Sequence, residues 1–143
     1  MIRSCLQKAE SLTNIFQSIS LLFLRLVLAY GFYTPAMNKW SDMDSIVSWF
    51  ENSLQLPFPT LNAYMAAGTE AAGVVLLTLG LGTRFISVGL MIVMVVAIST
   101  VHLANGFNAG DNGFEIPLYY ILMLFVLFSH GAGKISLDHK LLS

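Results

Sequence analysis

The chain has 143 residues, 56% hydrophobic and 10% charged, with a formal net charge of −1. Soluble domains carry about 25% charged residues, so this is the composition of a single-domain membrane protein, 1–143, and it offers no basic footprint for nucleic acid. Cys5 is the sole cysteine, which excludes a disulfide framework, a zinc finger and a CxxC redox pair within one chain. Electron chemistry therefore needs a bound cofactor, a quinone or a partner protein.

In chain order, Arg3 and Lys8 precede a first apolar stretch at about 18–37, which contains Arg25, Tyr30 and Tyr33 and runs out at Lys39. Arg25 interrupts the apolar core and no small-x-small site follows, which argues against a secretory signal. In segment 38–60, Ser41 with Asp44 fits a helix N-cap box. Ile46, Val47, Trp49, Phe50 and Leu54 then alternate with polar residues at helical spacing. The pattern predicts a short amphipathic helix on the outer interface, ended by Pro57 and Pro59, with Thr60 capping the next helix.

The second stretch, about 61–81, carries Glu70 in a small-rich setting where Ala63, Ala67 and Ala71 repeat at four. Gly80-Leu81-Gly82-Thr83-Arg84 is a turn suited only to an antiparallel helical hairpin. The third stretch, about 85–103, ends at His102. The loop 104–115 is too glycine-rich for helix and lacks EF-hand ligand spacing. The fourth, about 116–133, opens beside Glu115. Its strongly apolar part is only 116–128, and Gly131 to Gly133 suit a left-handed helix end. Each stretch approaches the ~20 residues that cross a ~30 Å hydrocarbon core. The expected fold is all-α: an integral membrane four-helix bundle with a short amphipathic interfacial helix between spans one and two.

Charge asymmetry sets the orientation. Arg3, Lys8, Arg84, Lys134 and Lys140 fall on one side. The opposite segments hold Lys39 alone, beside five carboxylates. Both termini are expected in the cytoplasm, which an even number of spans requires.

An ionised carboxylate in hydrocarbon needs a partner, a proton or a function. At ~1.5 Å per residue, Arg25 and Glu70 lie within a helical turn of each other in depth, so an Arg25–Glu70 pair is expected. It is either a structural register pin or the polar floor of a ligand cavity, with Tyr30 and Tyr33 above it. A second cluster, Lys39, His102 and Glu115, gathers at the outer mouth. It can hold a quinone oxygen, a metal or a substrate carbonyl, or reflect snorkelling and a helix-cap carboxylate. The methionines form no Met-x-Met run and read as membrane core, so no metal site is assigned.

The chain resembles the DoxX family of small four-helix membrane proteins. The resemblance rests on Arg25, Tyr30-Gly31 and Lys39, on Glu70-x-x-Gly73, on the hairpin Leu79 to Arg84 with Gly82-Thr83-Arg84, and on the tail Gly131 to Asp138 with Gly133 and a closing Ser136-Leu137-Asp138. It implies a structural role for Gly73, Gly82, Arg84, Gly133 and Asp138. It also implies a quinone- or thiol-linked redox role in a bacterial inner membrane, with ties to oxidative stress. The segment with Trp40 and Trp49 is similar to a subgroup that accompanies copper-handling peptide systems.

The expected function is a redox-associated membrane subunit that binds a quinone-like ligand or works with a redox or metal-handling protein partner, alone or as a homodimer. One alternative is a non-enzymatic scaffold or maturation partner. The other is a small transporter with Glu70 as its proton site.

Overall fold

A computed structural model describes residues 2–142, with side chains from Glu10 onward. The side chains of Arg3, Cys5 and Lys8 lie outside the described residues. Six α-helices follow in order: α1 Ile2–Ser41, α2 Met43–Asn52, α3 Pro59–Leu79, α4 Thr83–Ala97, α5 Glu115–His130 and α6 Leu137–Leu142. No strand occurs among the described residues.

Helix α1 packs on α3, α3 on α4, α4 on α5, and α5 on α1. The centre is a cluster of Leu21, Leu28 and Phe32 from α1, Leu77 from α3, Leu90 from α4, and Leu124 and Leu127 from α5. Close approach depends on small residues. A Cβ on Gly73 would lie 2.8 Å from a Leu90 methyl, and one on Gly89 would lie 3.1 Å from the Thr69 methyl. The buried face of α3 runs through Ala63, Ala67, Glu70, Gly73 and Leu77, while Ala71 is only half-buried.

Several element boundaries differ from the sequence expectation. Helix α1 is 40 residues long, so it continues well before the apolar stretch, and Ser11 to Gln17 are exposed. The cap of α2 is Asp42, which accepts from the Ser45 N–H at 3.2 Å; Ser41 instead donates to the Asn38 carbonyl. Asp42 is better placed because a carboxylate accepts more strongly at a positive helix end. Helix α3 begins at Pro59 behind Phe58, with no side-chain cap, so Thr60 lies inside it. A proline at the first position has no N–H to cap.

The third apolar stretch does not end as an α-helix. After Ala97 it widens into a π-helix, Ile98–His102, then a 3₁₀ turn, Leu103–Asn105. The glycine-rich loop contains one further 3₁₀ turn, Ala109–Asp111. Gly131 ends α5 at φ +78° and ψ −164°, a positive φ but not the left-handed helical cap.

Two helical runs, Glu10–Ser41 and Thr83–Asn105, are long and apolar enough to cross a membrane. Helix α3 has the length, but Asn62, Thr69 and Glu70 dilute its apolar character. Helix α5 is apolar but has 16 residues, about 24 Å against a core of about 30 Å. Large apolar side chains such as Phe23, Val27, Ile92, Val95, Leu122 and Phe125 cover the outer faces of α1, α4 and α5. A soluble monomer does not leave so much apolar surface exposed.

Candidate functional site

Glu70 is 2% exposed. Its two carboxylate oxygens accept from Lys39 Nζ at 3.1 and 2.9 Å. This is the one ion pair among the described residues. It joins the end of α1 to the middle of α3. Next to it, Trp40 Nε1 donates to the Ala67 carbonyl at 3.2 Å, and the Trp40 ring meets Tyr64 edge-on at 6.0 Å.

The expected Arg25–Glu70 pair is not formed. Arg25 is 1% exposed. Its guanidinium donates to the Leu77 carbonyl at 3.1 Å and to the Ile135 carbonyl. Helix side chains lean toward their own N-terminus. Arg25 therefore leans from α1 toward the α3–α4 hairpin, where the last carbonyls of α3 lack helical donors. Glu70, on an antiparallel helix, leans the opposite way. Lys39, farther along α1, leans back toward it.

Around the pair lies a cavity of about 600 Å³. Its walls come from every helix from α1 to α5: Phe32 and Pro35, Phe50, Thr69, Val93, and Tyr120 among others. Met65 of α3 and Ile92 and Val96 of α4 line it and are also exposed, so it opens between these two helices. A volume of ~300–1,000 Å³ with apolar walls and few polar groups is typical of small-molecule sites.

Of the outer-mouth residues, Lys39 and His102 line this cavity and Glu115 does not. His102 closes the π-helix, and its Nδ1 lies 2.9 Å from the Asn112 carbonyl. That leaves Nε2 as the free ring nitrogen. Glu115 is committed to its own loop, accepting from the Ala109 N–H at 2.9 Å and the Tyr119 hydroxyl at 3.0 Å. The three do not form one cluster. Among the described residues, no three His, Cys, Asp or Glu side chains converge on one point.

Tyr30 and Tyr33 do not belong to the interior. Tyr30 is 83% exposed and Tyr33 also faces outward. The phenol in the cavity is Tyr120. It packs edge-on against Phe32 at 5.3 Å, and its hydroxyl occupies the space beside Gly31, where a Cβ would come within 2.0 Å. Pro35, inside α1, has no N–H for the Gly31 carbonyl four residues back. The available signal was the Gly31–Pro35 spacing, which marks a place where α1 must accommodate a neighbour.

The remaining motif residues form a knot at the opposite end. The Gly82 and Thr83 N–H groups donate to the two Asp138 oxygens at 2.7 and 3.1 Å, and the Asp138 N–H donates to the Gly80 carbonyl at 2.9 Å. Asp138 therefore caps α4 from the far end of the chain. Gly80, at φ +67°, leaves room for the Arg25 guanidinium, and Gly133, at φ +80°, packs on Leu21. Arg84 reaches the Ser129 carbonyl at 3.4 Å.

The DoxX family model matches residues 20–103. An uncharacterized protein of Haemophilus influenzae is 37% identical over 132 residues, covering 87% of this chain and 85% of the relative. A second uncharacterized protein of that organism is 34% identical, covering 84% and 89%. A Bacillus subtilis protein named "Putative oxidoreductase CatD" is 30% identical, covering 74% and 73%. No solved structure matches the chain. The matched residues carry Arg25, Lys39, Glu70, the hairpin and His102, and the chain belongs to the DoxX family.

Proposed function

We propose that this chain is a redox-associated subunit of a bacterial inner membrane, and that the cavity beside Lys39 and Glu70 takes a quinone-like ligand. In this reading α1, α3, α4 with its π extension, and α5 are four spans, and both termini are cytoplasmic. The observation that carries it is a buried, doubly bonded ion pair facing a largely apolar cavity that opens toward lipid between α3 and α4. An apolar ring with carbonyl oxygens suits such walls, and a membrane-dissolved ligand suits such an opening. The name of the Bacillus subtilis relative agrees with redox work.

A bound quinone would supply two-electron, two-proton chemistry, with a partner delivering or taking the electrons. Lys39 would donate to a ligand oxygen while Glu70 keeps its ammonium oriented. Tyr120 would position the ring from the α5 side. His102, free at Nε2, would pass protons between the cavity and the outer face. Phe32, Phe50 and Val93 would keep bulk water away.

The test is mild detergent extraction followed by mass spectrometry of retained lipids and proteins, for wild type, His102→Asn and Tyr120→Phe. Retained quinone that is reduced or lost in the variants supports the reading. A stable protein complex without quinone would favour a scaffold. Proton-coupled uptake in proteoliposomes would favour a transporter.

A further inference from the structure

A second cavity, of about 710 Å³, lies at the hairpin end of the molecule. Its lining includes Arg84 and Phe85 of α4, His130 at the end of α5, Lys134 in the following turn, and His139 and Leu142 of α6. It is separate from the Lys39–Glu70 cavity; it rests on the membrane orientation proposed above but not on the ligand proposed for that site.

Its cations are available. Neither Arg84 nor Lys134 has a carboxylate partner among the described residues. The contact of Arg84 with the Ser129 carbonyl, at 3.4 Å, is long and leaves most of the guanidinium fork free. His130 Nδ1 lies 3.1 Å from the Val126 carbonyl and 2.9 Å from the Ser129 hydroxyl, which leaves Nε2 open. Among the described residues, the one carboxylate in the lining, Asp138, has both oxygens bonded to the Gly82 and Thr83 N–H groups. Gly131 has no side chain to block the groove; a Cβ there would stand 3.3 Å from Arg84 Nε.

The flanks are apolar. Phe85 is 87% exposed and Leu142 is 85% exposed. A planar guanidinium and an ammonium over a glycine turn match the oxygens of a phosphate group. Apolar side chains on either side match the start of acyl chains. Basic pockets between helices at the cytoplasmic membrane face are known sites for anionic lipid headgroups.

We propose that this groove binds the headgroup phosphate of an anionic phospholipid, with Arg84 and Lys134 as its principal ligands and His130 beside them. The full chain, purified in a non-ionic detergent, is titrated with phosphatidylglycerol, phosphatidylcholine and inorganic phosphate, and the bound fraction is read by native mass spectrometry. Phosphatidylglycerol should bind and phosphatidylcholine should not. Lys134→Gln should weaken binding about fivefold, and Arg84→Gln with Lys134→Gln about thirtyfold, as each cation near an anionic lipid surface contributes about 1 kcal/mol. Lys134 is exposed, so its single variant carries the test if Arg84→Gln fails to fold. Equal binding of the two lipids, or unchanged phosphatidylglycerol binding in Lys134→Gln, would overturn the proposal. Tighter binding of inorganic phosphate than of phosphatidylglycerol would overturn the lipid assignment in favour of a soluble phosphate.

Discussion

Replacing Lys39 by methionine keeps most of the side chain's length and removes its charge. Glu70 would then stand 2% exposed with no cation. Both of its oxygens lose the Nζ contacts at 2.9 and 3.1 Å. Breaking a buried pair from one side costs about 3–5 kcal/mol, because the stranded charge keeps its desolvation penalty. The reverse change should be milder. Glu70→Gln leaves the lysine cationic, but the Lys39 side chain is 17% exposed and can swing toward water. A loss of about 1.5–3 kcal/mol is expected there, that of a hydrogen bond to a charged group. The double change Lys39→Met with Glu70→Leu removes both charges and fills the space with hydrocarbon. It should return stability to within about 1 kcal/mol of wild type, since buried pairs seldom outperform apolar replacements. Unfolding by SDS titration in mixed micelles gives the stability of wild type and of each variant. The reasoning fails if Lys39→Met unfolds like wild type, or if the double variant is no better than Lys39→Met alone.

Three further outcomes follow from the geometry. Asp138→Ala removes both carboxylate bonds to the start of α4 and should destabilise by about 0.5–2 kcal/mol, the range for a lost N-cap, in the same titration. Gly80→Ala meets a φ of +67° and places its Cβ 2.2 Å from Arg25 Nη1 and 2.6 Å from Ser136 Cβ. The backbone strain alone is about 1–3 kcal/mol, and the variant should lose folded yield where Gly68→Ala, at a helical position facing open space, loses far less. The hydrogen bonds from Ser45 hold the Asp42 carboxyl below the usual carboxylate range. A carboxyl lowered in the folded state stabilises above its unfolded pKa and loses that contribution as pH falls through the folded value. Protection of the Ser45 amide against hydrogen exchange should therefore be flat from neutral pH to about 5 and decline below about 4, while Asp42→Asn shows no such step.

Helix positions, the hairpin at Gly80 to Arg84 and the need of a buried Glu70 for a cation were legible in the sequence because hydrophobic patterning and a lone buried charge are local signals. The identity of the charge partner was not. Depth alone pointed to Arg25 and put Lys39 at the outer mouth, and the lean of helical side chains toward the N-terminus is what carries each to a different partner. Arg25 is drawn to the carbonyls of Leu77 and Ile135, and Lys39 to Glu70. The same blindness to azimuth put Tyr30 and Tyr33 inside, although they share α1 with Phe32, which is the buried one. Tyr120 was passed over because α5 is apolar nearly all round, so no periodicity singles out its inner face. The π-helix at Ile98–His102 has no local sequence signature, yet it rotates the end of the third stretch and so decides where His102 points.

These corrections divide the motif residues by task. Arg25, Gly80, Gly82, Gly133 and Asp138 are engaged by hydrogen bonds or close packing at the hairpin end, and buried groups held in this way have little left for a ligand. Lys39, Glu70, His102 and Tyr120 sit at the other end around open space, where a ligand can compete for their donors and acceptors. The tail binds the hairpin through Asp138 and binds α1 through the Ile135 carbonyl, which accepts from Arg25, so it holds α3 and α4 together where they join, while the same two helices part around the cavity mouth. A tilt of α3 against α4 about Gly80 to Gly82 would open the gap most at the cavity mouth, the point farthest from the knot. Loosening the knot with Asp138→Ala should therefore change access to the cavity as well as stability. That separates it from Leu142→Ala: Leu142 lies beyond the knot and is exposed, so its loss should leave ligand exchange unchanged.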